Sequence, residues 1–135
     1  MSDIFRWEER HSVGVQQFDS DHRELLDLAE KLVTGPLRGE LFVEDGDVLD
    51  DLVIRAKEHF SHEERLLELV GYPHLVEHHD QHERLLQEIQ AYQVAITNGK
   101  ISGSDVARFI AVWIFQHIEE EDQKYRKILN ENGYR

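Results

Sequence analysis

The chain has 135 residues, 28 of them acidic against 15 basic, giving a net charge of −13, and it contains no cysteine. That length suits one domain with its own core, while the missing cysteines exclude disulfides, thiolate metal sites and thiol nucleophiles and fit a reducing cytoplasm. So acidic a surface repels phosphate backbones and anionic lipids, which argues against nucleic-acid and membrane partners, and neither a signal peptide nor a membrane span is expected.

Residues 1–15 read as an extended N-terminal arm. Phe5, Trp7, Val13 and Val15 offer apolar anchors, Gly14 loosens the backbone, and no helical period is evident. Leu25, Leu28, Ala29 and Leu32 then recur at helical spacing, which predicts a first helix over about 16–33, ended by Gly35-Pro36. A loop follows, over 35–43. Leu49, Leu52, Val53, Ala56 and Phe60 predict a second helix over about 43–70, broken at Gly71. Pro73 suits the first turn of a third helix over about 73–97, which Asn98-Gly99 ends. Ser102 and Asp105 resemble a capping box, opening a fourth helix over about 102–130. Four amphipathic helices joined by short loops predict an all-α, antiparallel up-down-up-down four-helix bundle, with 1–135 as a single domain.

Nine histidines in such a chain call for a reason. His22 lies early in the first helix, and His78 and His82 lie early in the third. His59 and Glu63 lie late in the second, and His117 and Asp122 lie late in the fourth. In an antiparallel bundle those positions share one level, so the residues fall in one slab at one end. His59 and Glu63 share a helix face, as do His78 and His82.

Imidazole and carboxylate without thiolate suit iron, zinc, manganese or copper. One zinc takes four ligands and cannot use all seven residues, whereas two octahedral metals can. If Glu63 and Asp122 bridge, and a solvent-derived hydroxide bridges too, five histidines dividing three and two leave one metal full and the other with an open position. Asp122, however, is five residues from His117, about 140° away on a regular helix. Spacing alone favours Glu121 or Glu120, and Asp122 serves only if the helix is locally wide, as at a π-bulge. The residues by themselves leave that choice open.

The sequence resembles the hemerythrin family, its single-domain bacterial members above all. The resemblance covers almost the whole chain. It rests on Trp7, Val13-Gly14-Val15, Asp19-x-x-His22, His59-Phe60-x-x-Glu63-Glu64, Gly71-Tyr72-Pro73, His78-x-x-x-His82 and Trp113-x-x-x-His117-Ile118-x-x-x-Asp122-x-x-Tyr125. It implies a non-haem diiron site: His78, His82 and His117 on the six-coordinate iron, His22 and His59 on the iron with the vacancy, and Glu63 and Asp122 as bridges. It also implies a non-enzymatic function, reversible binding of dioxygen for carriage, storage or delivery to an oxygen-using enzyme. On the same resemblance the irons would be Fe2+ in the deoxy form and Fe3+ in the oxy form, with an oxo or hydroxo bridge, and dioxygen would be held as hydroperoxide on the open iron. The alternatives are a diiron peroxide or nitric oxide reductase, or an oxygen sensor. A monomer is expected.

Reversibility needs a dry pocket, and Phe60, Trp113, Ile114 and Ile118 flank the ligands as candidates for its wall. His11, His62, His74 and His79 are left as solvated or locally bonded side chains, with His62 also a candidate to support a ligand. Asp19, three residues before His22, is either a cap-region acid or an acceptor for a ligand's second ring nitrogen. Tyr125 reads as packing. Ferritin-like diiron enzymes use Glu-x-x-His pairs on two helices; here that spacing occurs only at Glu8 and His11, in the arm.

Overall fold

A computed structural model of the chain describes residues 6–37 and 42–135, with side chains described over 6–32 and 48–135. Phe5 and residues 38–41 of the expected loop lie outside these. Five helices are described: α1 (Gln16–Leu37), α2 (Phe42–Leu69), α3 (Leu75–Thr97), α4 (Gly103–Glu120) and the short α5 (Arg126–Glu131). No strand occurs among the described residues. α1 packs against α2 and α4, and α3 against the same two, so the four long helices close an antiparallel ring. Their inward stripes supply the core: Leu25, Ala29 and Leu32; Leu49, Leu52 and Ala56; Leu85 and Ile89; Val106, Ile110 and Ile114, all buried.

Three helix boundaries and one cap differ from the sequence expectation. α1 runs through Gly35-Pro36 to Leu37, because a proline in the last turn forfeits only one backbone bond. α3 starts at Leu75, two residues after Pro73. The reason is a Schellman turn at the end of α2: Gly71 adopts φ +72°, its N–H donates to Glu68 O (3.1 Å), and the Tyr72 N–H donates to Leu67 O (2.9 Å). Tyr72 is thereby tucked in while Pro73 stays in the turn. At the start of α4 only half of the capping box forms, with Ser102 Oγ accepting from the Asp105 N–H at 3.2 Å.

The third boundary bears on the site. The last helix is not continuous to 130. α4 stops at Glu120, a single 3₁₀ turn spans Asp122–Tyr125, and α5 follows. Glu121 marks the break with φ −111°. Its N–H still reaches His117 O (2.8 Å), while the Lys124 N–H reaches back only three residues to Glu121 O (3.2 Å). A tightened turn, not a widened helix, therefore swings Asp122 and Tyr125 inward, where both are buried.

The arm ties down that same segment. It is not extended throughout, since Glu9–His11 form a 3₁₀ turn. Asp19 accepts from the Val13 N–H (2.8 Å) and Ser12 Oγ (2.6 Å), so it caps the arm and does not support a histidine. Gln123 Nε2 donates to Ser12 O (2.8 Å), and Asn130 Nδ2 donates to Gly14 O (2.9 Å). Gly14 sits at φ +75°, and a Cβ there would lie 2.6 Å from Arg126 Nε. Only glycine fits both the conformation and the contact.

Candidate metal centre

All seven sequence-selected residues meet at one level of the bundle, and all are buried. Glu63 and Asp122 stand in the middle. Glu63 Oε2 faces His59 Nε2 (3.1 Å) and His22 Nε2 (3.9 Å), while its Oε1 faces His78 Nε2 (2.5 Å) and His82 Nε2 (3.3 Å). Asp122 divides the same way. Its Oδ2 faces His22 Nε2 (3.4 Å), and its Oδ1 faces His78 Nε2 and His117 Nε2, each at 3.1 Å. Each carboxylate thus spans two groups of imidazoles, His22 with His59 on one side and His78, His82 and His117 on the other. Ligand-type atoms of Glu63, His78, His82, His117 and Asp122 lie within 4.8 Å of one another, as do those of His22, His59 and Glu63.

These contacts satisfy one another as hydrogen bonds only in part: Glu63 Oε1 pairs with His78 Nε2, but Asp122 is left over. Both Asp122 oxygens are buried without a hydrogen-bond partner, even though imidazole nitrogens stand 3.1 Å away. His22 Nε2 and His59 Nε2 approach to 3.0 Å, and His82 Nε2 and His117 Nε2 to 3.1 Å. Nitrogen and oxygen atoms crowded this closely in a buried space, with the Asp122 oxygens unpartnered, are what cations between them would relieve. Nitrogen and carboxylate donors in this number, with the carboxylates central, fit two metal ions of the iron type.

Burial and the carboxylates pull the ring protons in opposite directions. Burial lowers His22, helped by neighbouring His59, to about 4. Burial also opposes charge on His59 and His78, but the carboxylates override it. Asp21 and Glu63 hold His59 up at about 9, and Asp122 and Glu63 hold His78 up at about 10. Glu63 is lowered well below the usual range, its neighbouring imidazoles outweighing burial. Asp122 is lowered too, with His117 and His78 outweighing both burial and the charge of Glu63.

Three supporting residues were not assigned from sequence. Asp21 Oδ2 meets His59 Nδ1 at 2.9 Å. Glu64 Oε2 meets His82 Nδ1 at 2.8 Å. Tyr125 is fully buried, and its hydroxyl donates to Glu63 Oε2 at 3.0 Å, so it does more than pack. Asp21 and Glu64 are each one residue from a ligand position, rotated about 100° to the neighbouring helix. That adjacency was the available signal. Of the leftover histidines, His11 is buried and its Nδ1 accepts the Glu8 N–H (3.0 Å). His62 lies edge-on to Phe18, and exposed His74 pairs with Glu77 (3.1 Å). His79 pairs with Glu64 (2.6 Å).

An apolar cavity abuts the centre. Phe60, Trp113, Ile114 and Ile118 line it, with Leu25, Leu52, Ile110 and the edges of His22, His117 and Asp122. The space open to the centre of a water-sized molecule is ≈ 10 Å³, about enough for one small molecule. Phe60 stacks flat on His82 (3.8 Å, 5°) and Trp113 on His117 (4.4 Å, 16°), fixing both ring planes.

Fold and site together define a helical-bundle protein with a buried histidine–carboxylate cluster able to hold metal ions. A family model described as the hemerythrin HHE cation binding domain matches residues 13–129, and the chain belongs to the hemerythrin family. It is 27% identical over 128 residues to a bacteriohemerythrin of Clostridium acetobutylicum, covering 90% of this chain and 98% of that one. It is 30% identical over 123 residues to a bacteriohemerythrin of Campylobacter jejuni, covering 89% and 91%. A solved crystal structure of wild-type hemerythrin superposes with a TM-score of 0.76 at 26% identity, covering 87% of this chain and 90% of that one. No described helix is long and apolar enough to cross a membrane.

Proposed function

We propose that the chain is a dioxygen carrier or store with two irons held by the seven central residues. His78, His82 and His117 would hold one iron, His22 and His59 the other, and Glu63 and Asp122 would bridge. The observation that carries this reading is the division of each carboxylate's two oxygens between the two imidazole groups. A three-to-two split of neutral ligands leaves one metal short of a ligand. The apolar cavity borders His22 on the two-histidine side, and also His117 and Asp122.

When bound, a diferrous pair supplies two electrons for reversible capture of dioxygen at the incomplete iron. The chain's own residues do the rest. Ile114, Ile118, Phe60 and Trp113 exclude water, which slows loss of the bound ligand and stranding of ferric iron. Asp21 and Glu64 accept the Nδ1 protons of His59 and His82, leaving each Nε2 free to ligate. Tyr125 keeps Glu63 oriented by donating to Oε2. Among the described residues, no acid or base stands in the cavity wall apart from the ligand positions themselves. That favours carriage over turnover as a reductase or oxidase.

The test is iron content together with an absorption spectrum taken after anaerobic reduction, then in air, then after degassing. The reading requires two irons per chain and a charge-transfer band that comes with air and leaves with degassing. A band that decays once to a ferric spectrum would refute carriage, and one zinc or no iron would refute the diiron centre.

A further inference from the structure

His79 is an exposed histidine that the dioxygen site does not use, yet it is connected to that site. Its Nδ1 lies 2.6 Å from Glu64 Oε1, and the other oxygen of the same carboxylate lies 2.8 Å from Nδ1 of buried His82. Glu64 is on α2 while both histidines are on α3. One carboxylate therefore clamps an inner and an outer imidazole of the neighbouring helix. The two ends differ in environment: the His79 side chain is 49% exposed, Glu64 21% and His82 1%.

A helix-surface glutamate ordinarily points to water and pairs loosely. Glu64 does neither, since both its oxygens are committed to ring nitrogens. The opposite side of the centre is built differently. Asp21 serves His59 there, with Gln17 alone donating to its other oxygen (Gln17 Nε2 to Asp21 Oδ1, 2.9 Å). No partner reaches the buried Nδ1 of His22.

We propose that Glu64, fixed in place by His79, is a positioning residue that orients His82 and strengthens it as a metal ligand. The proposal rests on the diiron reading above. The chemistry follows from the ring. A carboxylate accepting the Nδ1 proton fixes the tautomer that leaves Nε2 unprotonated, and draws that proton enough to make Nε2 a better donor. A better donor favours the higher oxidation state of the metal it binds. His79 supplies the second contact, without which the carboxylate could rotate into the wide cleft it shares with Lys57 and Glu83.

The experiment compares the full-length chain with E64A, E64Q, H79A and, as a surface-histidine control, H74A. Two quantities are read: ferrous iron affinity, by anaerobic competition with a chelator, and the midpoint potential of the loaded centre. E64A should lose affinity by roughly 10- to 100-fold. E64Q keeps an acceptor for His82 and a group able to bond His79, so its affinity should stay close to wild type. Its potential should move positive, because the charge is gone. H79A should fall between wild type and E64A, and H74A should match wild type. Circular dichroism of the metal-free variants separates loss of fold from loss of ligand positioning. Equal affinity and potential in wild type and E64A, or E64Q as weak as E64A, would overturn the proposal, as would equal losses in H79A and H74A. A wild-type chain that binds no iron would instead overturn the diiron reading itself.

Discussion

Replacing Tyr125 with phenylalanine removes one oxygen from the interior and little else. The hydroxyl is fully buried and donates to Glu63 Oε2 at 3.0 Å. It is a donor at every accessible pH, since burial, then the charges of Asp122 and Glu63, push its phenol well above the usual 10. A hydrogen bond to a charged acceptor contributes roughly 1.5–3 kcal/mol. Oε2 is not orphaned by the change, because His59 Nε2 stands 3.1 Å away. The lower part of that range therefore applies, about 1.5–2 kcal/mol. For a chain of this size that lowers the melting temperature by roughly 5–10 °C. The assay is thermal unfolding of metal-free wild type and Tyr125→Phe by circular dichroism. In the iron-loaded pair the difference should shrink, because metal would then neutralise and hold Glu63. A metal-free difference below about 1 °C, against the 1.5–3 kcal/mol expected of such a bond, would show that the hydroxyl does not hold Glu63 and refute the role given to it.

Three further outcomes are expected. Ile114→Ala, at a cavity-wall residue 4% exposed, should cost about 2–5 kcal/mol and admit water; the oxygenated form should then decay faster to the ferric state, as followed by absorbance, and an unchanged decay would deny the wall its role. His59 and His78 stand at about 9 and about 10 in the metal-free chain, above the ordinary 6.5. Their contribution to metal-free stability is therefore full below 6.5 and lost as pH rises through 9 to 10, and metal must expel both protons to bind. Metal titration in weakly buffered solution near neutral pH should thus release about two protons per chain, and affinity should rise with pH up to that range; binding without proton release would contradict the assignment. Gly14→Ala should destabilise the arm by roughly 1–3 kcal/mol, because φ +75° and the Arg126 contact both resist a side chain; equal denaturant midpoints would refute this.

The legible part of the fold was the part set by periodicity. Apolar steps of three and four gave four helices, and antiparallel order alone placed His22, His59, Glu63, His78, His82, His117 and Asp122 at one level. What the spacing could not resolve was local backbone geometry. A five-residue step from His117 to Asp122 has no solution on a regular helix, and a π-bulge was the expected remedy. The chain instead ends α4 and starts a 3₁₀ turn, held from outside by arm residues more than a hundred positions earlier. Such a long-range bond leaves no mark on local sequence. The supports were also hidden, and for a related reason. Asp19 and Asp21 both neighbour His22, but only rotation about the helix axis decides which one faces α2. Asp21 does so and meets His59, while Asp19 turns to the arm. Glu64 and Tyr125 were visible as motif positions, but their partners lie across helix interfaces.

The central claim is that two irons sit between the carboxylates, one on each side. Anomalous diffraction at the iron edge from crystals of the loaded chain tests it most directly. The account predicts two peaks of equal height that share Glu63 and Asp122, one completed by His22 and His59, the other by His78, His82 and His117. A single peak, or a second metal held by Glu120 or Glu121 in place of Asp122, would contradict it.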